Sequence, residues 1–262
     1  MISTDTGTSR LIFALDTAGG MDETLHWVDL LKDHVGMFKV GKESFTAFGP
    51  ALVTEILARG GRVFLDLKYH DIPNTVEQAG RAATRLGVHM FNVHALGGLE
   101  MMRRTVRGVV EEAEACQASP PIMLAVTVLT SLSEQDLHDI GFSVPSVSSL
   151  VVSLARQAQD AGMHGVVASP REVAPIRAAC GKDFTIVTPG IRAHTLPGDD
   201  QKRTRGPRET IAEGADYIVV GRPIRTADDP VAAARTIAGE IESGLKHRDT
   251  SHMSRNIIPV GG

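Results

Sequence analysis

The sequence has little of what marks the more specialised protein classes. Only Cys116 and Cys180 occur in 262 residues. They form no CxxC pair and have no cysteine–histidine zinc spacing, so both thiols are expected to be reduced. The ten histidines show no HExxH-like pattern, which argues against a histidine-based metal site. No apolar run approaches the roughly 18 residues of a membrane span. The opening MISTDTGTS is polar and has no apolar signal core, so a cytoplasmic protein is expected. A net charge of −4 offers no support for nucleic-acid binding. There is no low-complexity stretch, no internal linker and no GxGxxG turn after the first strand-like segment.

What is there is an ordinary soluble composition, 42% apolar and 22% charged, in a chain long enough to form a core without cross-links. Short apolar segments recur with amphipathic stretches between them. The strand-like segments are residues 11–16, 37–41, 62–68, 90–95, 122–128, 165–169, 184–188 and 217–221. Helix-like stretches follow them, at residues 21–34, 44–59, 76–86, 99–116, 146–161, 171–179 and 230–245, with a polar piece at 133–138. Short apolar strands alternating with helices predict a parallel sheet covered on its outer face. Eight such units in roughly 235 residues predict a single-domain α/β fold, a (β/α)8 TIM barrel. A doubly wound open sheet is the alternative. Residues 1–9 are expected to be a flexible start, residues 10–245 the barrel, and residues 246–262, which lack periodicity, a disordered tail.

The stretch FLDLKYHDIPNTV, residues 64–76, is the most informative. It begins as a strand and then brings Asp66, Lys68 and Asp71 within a few positions. Alternation aims Asp66 and Lys68 the same way. A carboxylate and an ammonium buried together must pair or do chemistry, since their desolvation is costly. Pro73 then suits the first turn of a helix. The plainer reading is a strand running into solvent with a salt bridge at its tip.

Working residues in such barrels sit at the C-terminal strand ends. Those ends carry Asp16, Lys39, Asp66 with Lys68, His94, Thr130, Pro189-Gly190 and Gly221-Arg222. His94 reads as a packed histidine and is left outside the site. The segment after the seventh strand, residues 191–207, is long, polar and rich in cations, with Arg192, Gln201, Lys202, Arg203 and Arg205. It reads either as a solvated loop or as a lid over a phosphate, because phosphate sites lie after strands seven and eight. In the second reading Gly221 lets a backbone N–H approach and the Arg222 guanidinium grips the phosphate oxygens.

Seven motifs in order carry a family resemblance: ALD at 14–16, FKVG at 38–41, DLKYHDIPNT at 66–75, AVTVLTS at 125–131, TPGIR at 188–192, GDDQKR at 198–203 and GRPI at 221–224. Together they resemble the bacterial orotidine 5′-phosphate decarboxylases, over nearly the whole barrel. The resemblance implies decarboxylation of orotidine 5′-monophosphate to UMP without a cofactor or metal. It implies catalytic roles for Lys39, Asp66, Lys68 and Asp71. It also implies substrate contacts from Asp16, Lys39, Thr75, Thr130, Pro189, Arg192, Gln201, Gly221 and Arg222. It further implies a homodimer in which Asp71 and Thr75 reach the partner's site. Magnesium-dependent sugar-phosphate enzymes of the same superfamily share the DxKxxD element and carry a glutamate where this sequence has Lys39. An ammonium there competes for the space and charge of a Mg²⁺ ion. That branch and a non-catalytic phosphate-binding barrel are the alternatives.

Overall fold

The computed structural model describes residues 6–16, 19–190 and 206–255. Eight parallel strands close into a barrel in sequence order. They are β1 (Leu11–Ala14), β2 (Met37–Gly41), β3 (Val63–Tyr69), β4 (Met90–His94), β5 (Ile122–Val126), β6 (Gly165–Val167), β7 (Thr185–Pro189) and β8 (Tyr217–Val220). β8 pairs back onto β1, with Ile12 opposite Val219, and closes the ring. The open-sheet alternative is thereby removed.

The helices, in chain order, are α1 (Gly7–Arg10), α2 (Met21–Leu31), α3 (Lys42–Ala58), α4 (Pro73–Arg85), α5 (Leu99–Ala115), α6 (Glu134–Asp139), α7 (Val147–Asp160), α8 (Val173–Cys180), α9 (Pro207–Ala212), α10 (Arg222–Arg225) and α11 (Pro230–Arg255). Their apolar faces pack on the outward strand side chains. Phe13, Phe38, Leu65, Phe91 and Ile218 point into that outer core. α4 shows how the sequence sets such a helix. Pro73 fits its first turn, where no N–H partner is needed, and Val76, Gly80 and Ala83 recur on one buried face.

The inward side chains form a second core. Ile12, Met37, Phe64, Met90, Leu124, Val126, Val167, Val187 and Val219 fill the barrel from its N-terminal end. Period-two alternation continues that inward face to Lys39 on β2, Asp66 on β3, and Asn92 and His94 on β4. Polar and charged side chains start where the apolar filling stops. This gradient places the charged residues at one mouth of the barrel and leaves the other mouth to stability.

Near both ends the described residues depart from expectation, while residues 1–5 and 256–262 lie outside them. Residues 7–10 are helical rather than a flexible start. Thr6 and Ser9 cap α1 reciprocally, and Gly7 is buried so close to the Ala238 carbonyl of α11 that a Cβ would collide with it. At the other end, α11 runs to Arg255, ten residues past the expected stop at Leu245. No glycine or proline interrupts residues 246–255, and Arg248 still docks on Ala215 and Asp216. Two short helices after β7 and β8, α9 and α10, are also additions to the sequence reading. Among the described residues no helix is long and apolar enough to cross a membrane.

Candidate active site

At the barrel mouth four charged side chains form one chain of contacts. Lys39, with a side chain only 12% exposed, places its Nζ 3.0 Å from Asp16 Oδ1 and 3.4 Å from Asp66 Oδ2. The Lys68 Nζ donates to Asp66 Oδ1 at 2.6 Å. The order is therefore Asp16–Lys39–Asp66–Lys68, with alternating signs and no formal net charge. Asp66 is 8% exposed, and each of its oxygens faces a different ammonium. Such charge-assisted bonds offset part of the desolvation that buries it.

Each member is delivered by a local feature of sequence. Lys39 is the inward residue between Met37 and Gly41 on β2. Gly41 leaves room beside the pair: a Cβ there would lie 2.9 Å from Lys39 Nζ and 3.0 Å from Asp16 Oδ1, so either side-chain tip would have to shift. Lys68 is set differently. The β3–β4 register passes from Leu65 opposite Phe91 to Tyr69 opposite Val93, so four steps of β3 match two of β4. This irregularity carries Lys68 into the left-handed region, φ +52°, which a side chain with a Cβ adopts at a cost. Its N–H is bonded to Asn92 Oδ1 at 2.8 Å, and Asn92 Nδ2 donates to Asp66 Oδ1 at 2.7 Å.

Asn92 was missed in the sequence. The signal was present: a fully buried polar residue at the inward position of MFNVH. His94, two residues on, is half-buried with its ring 5.4 Å from that of His70. Burial, with positive neighbours His70, Lys42 and Lys68, lowers its pKa to about 4 against the pull of Asp66. His94 is neutral at neutral pH.

The remaining sequence candidates are spread over several elements. Thr130, Pro189 and Gly190 line a cleft of about 750 Å³ between the ends of β5, β6 and β7, together with Ser169 and Arg171. Gly221 follows β8 directly and Arg222 opens α10, its side chain exposed. Arg192 and Gln201, with Lys202, Arg203 and Arg205, lie outside the described residues. Asp71 and Thr75 are exposed. The Asp71 carboxylate accepts the Ile72 N–H at 2.6 Å, and among the described residues no ion pair joins it to Lys68. Within one chain the network therefore has four charged members including Asp16, and Asp71 is not one of them. No cluster of three His, Cys, Asp or Glu side chains suited to a metal occurs among the described residues.

A closed parallel barrel with a buried carboxylate–ammonium network at its C-terminal strand ends defines a (β/α)8 enzyme. A family model for the orotidine 5′-phosphate decarboxylase / HUMPS family matches residues 9–237, and the chain belongs to that family. It is 58% identical over 240 residues to the orotidine 5′-phosphate decarboxylase of Syntrophus aciditrophicus, covering 91% of this chain and 95% of the relative. It is 52% identical to that of Geotalea daltonii, covering 92% and 99%. Among solved structures, the orotidine 5′-phosphate decarboxylase of Lactobacillus acidophilus superposes with a TM-score of 0.78 at 37% identity, covering 90% of this chain and 99% of that one.

Proposed function

We infer that the protein is a carboxy-lyase that converts orotidine 5′-monophosphate to UMP and CO₂, the last step of UMP synthesis. The observation that carries this reading is the Lys39–Asp66–Lys68 contact chain at the barrel mouth, in a chain whose relatives bear that enzyme's name. The sugar-phosphate branch is disfavoured by the residue at position 39, an ammonium bonded to both neighbouring carboxylates.

Loss of CO₂ from C6 leaves an electron pair in the plane of the pyrimidine, where the π system delocalises it poorly. The site must therefore stabilise charge that develops at that carbon. The Lys68 ammonium faces C6, stabilises the forming anion and delivers the proton that replaces the carboxylate. Asp66 sits beside the departing group and holds Lys68 in place. Lys39 fixes the other Asp66 oxygen, so the carboxylate cannot rotate away. Asp16 and Lys39 bind one ribose hydroxyl. Thr130 and Pro189 border the base, and Gly221 and Arg222 take the phosphate with Arg192 and Gln201 closing over it. Binding energy from the distant phosphate thereby serves the step at C6.

The second part of the reading is a homodimer that completes each site with Asp71 and Thr75 of the other subunit. Their exposure, and the 66% exposure of Ile72 between them, supports a partner surface at the start of α4. The test of the function is direct: purified protein with orotidine 5′-monophosphate, followed by the ultraviolet change on carboxylate loss. Turnover that survives dialysis against EDTA is expected. No turnover overturns the reading, and activity restored only by Mg²⁺ moves the chain to the sugar-phosphate branch.

A further inference from the structure

Asn92 is wholly buried beneath the charged network, and its two polar atoms are committed to two different members of it. Its amide orientation follows from chemistry. The Lys68 N–H can only donate, so it must face Oδ1; the Asp66 carboxylate accepts, so it must face Nδ2. A side chain with one donor end and one acceptor end is what this gap requires. The same residue therefore grips the backbone of Lys68 at 2.8 Å and the carboxylate that receives the Lys68 ammonium at 2.7 Å. The grip falls where β3 leaves regular pairing and Lys68 sits at φ +52°.

We propose that Asn92 is a positioning residue for the decarboxylation: it holds Lys68 in its left-handed backbone conformation and locks Asp66 beneath the Lys68 ammonium, so that the proton donor is aimed before substrate arrives. This rests on the reading of Lys68 as the group that faces C6. It differs from simple core filling, because a leucine-sized inward residue would fill the space and satisfy neither partner. The charged and titratable groups that face the site are Asp16 after β1, Lys39 on β2, Asp66 and Lys68 on β3, His94 on β4, and His70 and Lys42 beside His94.

Asn92→Asp keeps size and shape, and still accepts the Lys68 N–H. Its other oxygen, however, faces Asp66 Oδ1, and two carboxylates so close share one proton. When protonated the variant donates as the amide did; when ionised it repels Asp66. Its kcat relative to wild type should rise as the pH is lowered from about 9 to about 5, while affinity for UMP stays within about threefold. Asn92→Ala removes both contacts and should lower kcat on the order of 10²-fold, the scale of a small misplacement of a reacting group, with no recovery at low pH. A crystal structure of N92A should show Lys68 leaving the left-handed region and its Nζ leaving Asp66. That last readout holds whatever substrate is turned over, and loss of activity in Lys68→Ala tests the site reading separately. The proposal is overturned by N92A retaining kcat within about threefold, or by an unmoved Lys68 in its structure. It is also overturned by an N92D/wild-type ratio flat with pH while UMP affinity falls in step with kcat, or by failure of both variants to fold.

Discussion

Single side chains decide the chemistry here because each is confined by one or two neighbours at hydrogen-bond distance. Lys68 is bonded to Asp66 and lies at the site mouth with its side chain a quarter exposed, so the ammonium is both held and reachable. Lys68→Ala should lower kcat by at least on the order of 10²-fold, as removal of a proton donor or charge stabiliser does. Its circular dichroism and much of its UMP affinity should be retained. Near-normal turnover in the folded variant would refute the role. His94 makes a different, pH-dependent contribution. Its pKa falls from an ordinary 6.5 to about 4 through burial and positive neighbours, so the unfolded chain takes up the proton first as pH falls. Stability tied to neutral His94 is complete above about 6.5 and is lost progressively towards 4. A His94→Gln variant should therefore lose less Tm than wild type across that window. An identical slope would exclude His94 as a contributor.

The elements divide between a working end and a clamped end. Asp216 lies just before β8, at the mouth opposite the site. Its carboxylate takes Arg177 of α8 at 2.7 Å and the Ile186 N–H of β7 at 2.9 Å, and Arg248 of α11 lies 3.4 Å away. Arg177 also caps the Gly214 and Phe184 carbonyls. One carboxylate thus joins two helices and two strands. Asp216→Ala should cost about 1–3 kcal/mol, the range for leaving such partners unsatisfied. It should lower Tm by several degrees while kcat and KM stay near wild type. A loss of kcat with unchanged Tm would show that the two barrel ends are coupled. On α4 and α5, Glu77 binds Arg81 at 3.1 Å and Arg104 at 2.7 Å. Burial works against its charge, but the two guanidinium groups outweigh it and hold the carboxyl below its ordinary pKa range. The exposed Asp71–Thr75 turn lies at the leading edge of α4, and these ion pairs tie that helix to α5.

For the whole molecule, the position of Asp71 makes a prediction about assembly. Asp71 is part of the DxKxxD motif in sequence, yet in the folded chain it turns outward and caps its own turn. If it serves a second subunit, two inactive variants should complement each other. Lys68→Ala mixed with Asp71→Asn after subunit exchange gives mixed dimers in half of all pairings. Each mixed dimer then has one site with both defects and one with neither. Roughly a quarter of all sites should regain activity under two-fold symmetry. No recovery from mixed dimers isolated as such would refute the shared site and leave the decarboxylase reading standing.

The sequence by itself determined the repeating unit, the number of strands and their approximate places in the chain. These depend on local periodicity and on composition, which are printed in the order of the chain. Lys39 was already legible as a strand-end residue, and the Asp66–Thr75 motif pointed to the charged mouth. The ends of the elements were less legible. The docking of α1 through Gly7 on α11, and that of α11 past Leu245 through Arg248, are contacts across the fold. Asn92 was hidden for the same reason. Its type and inward position on β4 were a hint, but its partners could be named only once β3 and β4 lay side by side, because they are 26 and 24 residues away. Asp71 reads as part of the same cluster as Asp66 and Lys68 in the chain, but the turn into α4 sends its carboxylate the other way. Spacing along a chain fixes which face a side chain takes only while the backbone stays regular. At the β3 irregularity and the turn after it, only the tertiary structure decided.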